Sequence, residues 1–249
     1  MTKNRSSKRL TKKEQEEVEN YQSSRKKSQQ IDLNNKIEKR FKPNKKQIEY
    51  LKAIDESTIT ICHGSSGTGK TLSTIYKGLQ EVFNKNKRLI LIRPVFESAS
   101  NKLMALPGTI EEKIAPHYNA FNYTLGDLIG DEDADSLKEK GKIRFEVLNY
   151  LRGATLKNSF IVCDEAQNMT VEEMILATTR LGKGSKIVFT GDFYQSDLRK
   201  ARGSIMDFAD IIKHIDGVSK FTFTNADVVR NPILVEVTKA WEQYKNELK

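Results

Sequence analysis

Gly64-Ser65-Ser66-Gly67-Thr68-Gly69-Lys70-Thr71 follows directly on the apolar run STITIC (57–62), and its reading decides the fold. The octapeptide satisfies G-x-x-x-x-G-K-[ST] at every position. Glycines at these places let the backbone curl so that successive N–H groups point into one concavity, which suits phosphate oxygens. A helix beginning at about Thr71 adds the positive end of its dipole. In such a loop Lys70 reaches the β- and γ-phosphates of a nucleotide, and the Thr71 hydroxyl is placed to ligate Mg²⁺. The bland alternative is a glycine-rich strand-to-helix turn with a chance lysine. A strand pattern before the loop and a helical pattern after it argue against that alternative.

Working outward, four more short apolar runs rich in β-branched residues read as buried strands: RLILI (88–92), SFIVC (159–163), KIVFT (186–190) and KFTFT (220–224). The intervals between them are long enough for crossover helices, so the pattern predicts a mostly parallel α/β sheet with helices on both faces. The acidic, polar stretch GDEDADSLKEKG (130–141) reads as a surface insertion. Cys62 and Cys163 lie on strands and read as small core residues. Two cysteines build neither a disulfide framework nor a zinc site on their own, and a reducing cytoplasmic setting is expected.

The third run ends in Cys163-Asp164-Glu165-Ala166-Gln167-Asn168. A carboxylate at the tip of a buried strand, beside a phosphate loop, suits a metal-holding role for Asp164. Glu165 points elsewhere and is placed to polarise the attacking water as general base. An acid pair that caps the next helix is the alternative. The fourth run ends in Thr190-Gly191-Asp192-Phe193-Tyr194-Gln195, at the sheet edge where open α/β folds bind ligands. Gln195 both donates and accepts, which suits contact with a γ-phosphate and a water.

Charge is distributed unevenly over the 249 residues. Residues 1–46 carry 15 Lys/Arg against 6 Asp/Glu, which accounts for the whole formal charge of +9, while residues 47–249 carry 27 of each. Only eight of those first 46 residues are apolar, too few for a core. The chain therefore divides into a basic arm (1–40), disordered or marginally helical, and an α/β domain (41–249). Thr11-Lys12-Lys13-Glu14 has capping-box spacing and marks a short helix in the arm. The arm's cations suit salt-sensitive, sequence-independent contact with RNA or DNA backbone. The alternative is a solubility tail. Deleting residues 1–40 is then expected to weaken polymer affinity and leave hydrolysis intact. No apolar run approaches a membrane span, and MTKNRSSKRL has no apolar h-region, so neither a membrane partner nor a secretory signal is expected.

Together these segments resemble the PhoH family of P-loop ATPases, relatives of the first RecA-like domain of superfamily-one helicases. The resemblance rests on Gly64–Thr71, on Arg93-Pro94 with Glu97, and on Leu106-Pro107-Gly108 followed by Glu112-Lys113-Ile114. It continues through Leu151-Arg152-Gly153, Asp164–Asn168, Thr179-Arg180-Leu181-Gly182, TGDFYQSDL (190–198) and Asp227-Val228-Val229-Arg230, over roughly residues 45–240. It implies a RecA-like (ASCE) fold with a five-stranded core in the order 5-1-4-3-2 and ATP with Mg²⁺ at the C-terminal edge of the sheet. It implies helicase-like coupling to nucleic acid, with an ATP-binding switch of little turnover as the alternative. Gln47 becomes a candidate adenine contact, the alternative being a solvent-facing helix residue. Hydrolysis calls for a cation on the γ-phosphate, for which Arg93, Arg180 and Arg230 are candidates, Arg230 foremost. A chain with one such core points to a homo-oligomer, a hexameric ring, as one source of that cation. The family's Arg-Gly-Arg-Thr stands here as Arg152-Gly153-Ala154-Thr155, and Arg199-Lys200 follows Asp197-Leu198 where proline is usual. These departures fit a diverged member, such as a phage-encoded one acting in the host cytoplasm.

Overall fold

The computed structural model describes residues 32–94, 110–192, 205–231 and 233–247. Six parallel strands form one sheet: β1 (Ile59–His63), β2 (Arg88–Ile92), β3 (Ile143–Glu146), β4 (Ser159–Cys163), β5 (Lys186–Gly191) and β6 (Val218–Thr222). Their order is β3-β2-β4-β5-β1-β6. The five runs read from sequence take up the expected 5-1-4-3-2 order, and β3 extends the sheet by one edge strand. The last run pairs as Val218–Thr222 rather than 220–224. In register, Ile92 lies beside Cys163, Cys163 beside Phe189, and His63 beside Gly191. The loop after β1 and the residues after β2, β4 and β5 therefore emerge at one edge.

Burial follows position in the sheet. Central β4 is buried at every residue, whereas edge β3 and β6 are only partly covered. Alternation along the strands separates two cores. Cys62, Leu89, Leu91, Phe160, Val162 and Val188 face the helix layer α1 (32–40), α2 (Lys45–Glu56), α3 (Lys70–Lys85), α4 (Ile110–Ile129) and α5 (Asp131–Glu139). Ile61, Ile90, Ile161, Ile187 and Phe189 face α6 (Val171–Thr178) and α7 (Ile205–Ile212). Lys186, at the start of β5, donates to the carbonyls of Ile54, Asp55 and Ser57 at 2.5–2.8 Å and so holds the C-terminus of α2 against the sheet.

Two expectations change. Residues 32–40, assigned to the arm, form helix α1 with Leu33 and Ile37 buried in the core. Leu33, Ile37 and Phe41 recur every four residues, so one face of the helix seals against α3 and α4. Lys36 pairs with Asp133 at 2.5 Å, and Arg40 donates to the carbonyls of Gly126 and Asp127. The packed structure thus begins by residue 32. The stretch 130–141 is not an insertion but α5, whose Ala134 and Leu137 enter the same core. Trp241 and Tyr244 lie on α8 (Ile233–Glu247) about half exposed and stacked on each other, with ring centroids 5.9 Å apart. The capping box at Thr11 and the residues Glu97, Leu106-Pro107-Gly108 and Gln195 lie outside the described residues.

Candidate active site

Neighbouring elements fasten the glycine loop at several points. Gly64 has φ +152°, and a Cβ there would lie 2.3 Å from the Phe223 carbonyl oxygen, a contact only glycine avoids. Its N–H donates to Gly191 at 3.2 Å, tying the loop to the end of β5. The Thr68 hydroxyl donates to the Ser65 carbonyl at 3.0 Å, and the Ser65 hydroxyl pairs with Asn225. The Gly67 carbonyl accepts from the backbone N–H groups of Val229 (2.9 Å) and Arg230 (3.2 Å). Lys70 is 9% exposed, and its ammonium donates to the carbonyls of Gly64 and Ser65, both at 2.7 Å. Burial lowers its pKa from the ordinary lysine value, opposed by the nearby Asp192, Asp164 and Glu165.

Gln47 does not face solvent. It is 3% exposed, closes a capping box with Asn44 at the start of α2, and donates to the Thr68 carbonyl at 3.2 Å. It supports the loop from beneath and is not among the residues lining the cleft described below. The solvent-facing alternative thus fails, because α2 brings the side chain against the loop backbone. A Cβ on Gly69 (φ +83°) would lie 2.5 Å from the Gln47 amide nitrogen, so glycine and glutamine are matched.

The carboxylates at the end of β4 are held by groups from three strand ends. Asp164 Oδ1 accepts from the hydroxyls of Thr71 (2.8 Å) and Thr190 (2.7 Å). Arg93, after β2, places Nη2 at 3.2 Å from Asp164 Oδ2 and 3.1 Å from Glu165 Oε1. Its guanidinium lies 5.6 Å from the Phe121 ring centre and donates to the His117 carbonyl. Glu165 itself has φ +55°, uncommon for a non-glycine residue and a feature that recurs at active sites. Its Oε2 accepts from Gln167 Nε2 at 2.5 Å, and Gln167 Oε1 accepts from the Asp192 N–H at 2.9 Å. Thr190 and Gln167 stood inside the motifs read from sequence without an assigned part. Their functions follow from the sheet register, which no local pattern reveals.

These groups border a cleft of about 640 Å³. Ser66, Gly67, Gly69, Lys70 and Thr71 form its floor, with Asp164, Glu165 and Asp192 at one side. Arg93 and Arg230 both reach it, whereas Arg180 instead donates to Ala154 and Thr179. A wall from α4 completes it: Ala120, Tyr123, Thr124 and Asp127. Among the described residues no group of three or more His, Cys, Asp or Glu is arranged to hold a metal. The Thr71 hydroxyl and the Asp164 carboxylate, which touch, form an all-oxygen pair. That set fits Mg²⁺, which takes one or two protein oxygens and completes its shell with water and phosphate. Both cysteines are buried, and burial pushes the Cys62 thiol up to about 12, so neither is a nucleophile at neutral pH.

A parallel sheet in this order, with a glycine loop over the end of its first strand and a paired acid at the end of a neighbouring one, defines a P-loop NTPase. The chain belongs to the PhoH-like protein family, whose model matches residues 40–242. A PhoH-like protein of Synechocystis is 39% identical over 203 residues, covering 81% of this chain and 62% of its own. One from Mycobacterium leprae is 41% identical, covering 80% and 57%, and Protein PhoH of Escherichia coli is 31% identical, covering 80% and 57%. The chain thus spans about three fifths of the length of these relatives. Among solved structures, the large terminase of a thermophilic bacteriophage aligns over 75% of this chain and 47% of that one, at 16% identity and a TM-score of 0.44. At that overlap the strand order, not the superposition, carries the fold. No helix among the described residues is long and apolar enough to cross a membrane.

Proposed function

We propose that the chain is a Mg²⁺-dependent ATPase whose turnover is coupled to RNA or DNA, in the cytoplasm. The observation that supports this most is the contact of the Thr71 hydroxyl with Asp164 at 2.8 Å, beside Lys70 and Glu165. Lys70 binds the terminal phosphates by exchanging the carbonyls of Gly64 and Ser65 for phosphate oxygens, a stronger, charge-assisted pairing. Mg²⁺, when bound by Thr71 and Asp164, neutralises phosphate charge. Glu165 is the base. Each of its oxygens holds one described partner and keeps a lone pair that can take a water proton. Arg230 and Arg93, which both line the cleft, supply positive charge from within the same chain, so the cleft does not depend on a second copy for a cation. Gln195 belongs to this reading as the contact to the γ-phosphate and water.

The cationic surplus of residues 1–46 supports nucleic-acid coupling through phosphate contacts. Assembly as a homo-oligomeric ring is a separate part of the proposal, measured by light scattering with and without Mg–ATP. The decisive experiment compares ATP turnover of the wild type and Glu165→Gln, without polymer and with single-stranded RNA, single-stranded DNA and duplexes across a salt series. Glu165→Gln should lower kcat by about 10²–10⁴-fold and keep nucleotide affinity; equal turnover in the variant rejects the mechanism. Stimulation by none of the polymers rejects the coupling. The pairing of Arg93 with both acids favours one second reading, a nucleotide switch with slow turnover, which the wild-type kcat distinguishes.

A further inference from the structure

The triphosphate half of the cleft is accounted for, but its α4 wall has no part in the chemistry above. Phosphates cradled by Gly67–Thr71, with the terminal one near Lys70, leave the phosphate next to the ribose over the first turn of α3. The nucleoside therefore leaves the loop past Thr71 and Leu72. Both residues line the cleft together with Ala120, Tyr123, Thr124 and Asp127 of α4. Those four positions are spaced by three and four residues and share one helix face.

The chemistry of that face is specific. Tyr123 supplies the aromatic ring among the described lining residues and is 76% exposed, an unusual state for a ring in a helix that packs Phe121 and Leu125 into the core. The Thr124 hydroxyl spends its proton on the Ala120 carbonyl at 2.9 Å, which leaves its lone pairs as acceptors toward the cleft. One turn on, the Asp127 carboxylate has no ion-pair or hydrogen-bond partner among the described residues; only its backbone carbonyl is used, by Arg40. A ring and an apolar Leu72 in one lining, with a neutral and an anionic acceptor on the ring's helix face, suit a heterocyclic base followed by two ribose hydroxyls, which are donors. They do not suit a phosphate, which an unpaired carboxylate repels.

We infer that α4 carries the nucleoside subsite: the base stacks on Tyr123 against Leu72, and the ribose hydroxyls donate to Thr124 and Asp127. This rests on the P-loop reading above and adds to it the part of the ligand that the loop does not read. Arg40, anchored on the Gly126 and Asp127 carbonyls, holds the wall in place.

The test is calorimetric binding to the full-length chain of ATP, 2′,3′-dideoxy-ATP and inorganic tripolyphosphate, each with Mg²⁺. Tyr123→Ala should weaken ATP about tenfold, in the range of base–aromatic stacking, and leave tripolyphosphate unchanged, while Tyr123→Phe retains wild-type affinity for both. Asp127→Ala should bring ATP part of the way down to the affinity of the dideoxy nucleotide, since Thr124 still accepts from the other hydroxyl, and leave the dideoxy nucleotide as in the wild type. Unchanged ATP affinity in Tyr123→Ala overturns the subsite, as does an equal loss for ATP and tripolyphosphate, which would mean that the wall only shapes the loop. Loss of polymer stimulation with ATP affinity intact overturns it too, and assigns the wall to the polymer. If the wild type binds neither ATP nor tripolyphosphate, the P-loop reading itself fails.

Discussion

Replacing Ile37 by alanine tests whether α1 belongs to the folded domain. Ile37 is 0% exposed and Leu33 8% exposed, in the same core cluster as Tyr76 and Leu79 of α3 and Phe121 and Leu125 of α4. A buried Ile→Ala change costs about 2–5 kcal/mol, against a total stability of about 5–15 kcal/mol. The flanking contacts add less, since Lys36 and Asp133 are each about one third exposed and a pair of that kind contributes roughly 0–1 kcal/mol. Urea unfolding followed by circular dichroism should therefore show the midpoint falling by about 1 M, taking a slope of about 1–3 kcal/mol/M. Deletion of residues 1–31, which hold nine of the fifteen cations of the first 46 residues, should leave the midpoint in place and weaken polymer affinity. Deletion of residues 1–40 should destabilise the domain and, by releasing Arg40 from α4, weaken nucleotide binding as well. That reverses the expectation of a detachable 40-residue arm. A change below about 0.5 kcal/mol for Ile37→Ala, the ordinary value for a solvated surface position, would refute the docking of α1.

Gly69→Ala forces a side chain into positive φ, a strain of about 1–3 kcal/mol, and drives its Cβ toward Gln47. Adding Gln47→Ala should relieve the second effect only, so the double variant loses less nucleotide affinity than the two single losses combined; full additivity would show that Gln47 does not touch the loop. Stability should also fall on mild acidification. Burial lowers the pKa of His63, aided by Lys220 and Lys70, and that of His117, aided by Arg93. The unfolded chain then binds protons first, and stability declines as pH drops below the unfolded value of about 6.5 and levels off below the folded values. His63→Asn should flatten part of that decline in urea midpoints measured between pH 7 and 5; an identical pH profile would exclude His63 as a contributor.

Local chemistry was legible residue by residue. Gly64–Thr71 announces a phosphate loop because each glycine answers a backbone requirement, and STITIC, SFIVC and KIVFT announce buried parallel strands because they are short and rich in β-branched residues. Asp164 and Glu165 could be placed at a strand end by the same adjacency. β3 was missed because IRFE is only four residues long and, at the sheet edge, keeps a polar face. α1 and α5 were missed because each offers only two or three apolar side chains, a signal that means little until a partner surface receives it. Gln47 reads the same in sequence whether it meets solvent, adenine or the Thr68 carbonyl.

By itself, then, the sequence determined the loop, the strands and the identity of the paired acids, since these depend on neighbours within a few positions. Only the tertiary structure decided that Arg93 bridges Asp164 and Glu165 and that Gln167 links Glu165 to Asp192. It alone decided that α4 walls the cleft and that the basic segment enters the core at Leu33. Each of those contacts joins elements distant in the chain, and their existence depends on sheet order and register, which no single segment encodes.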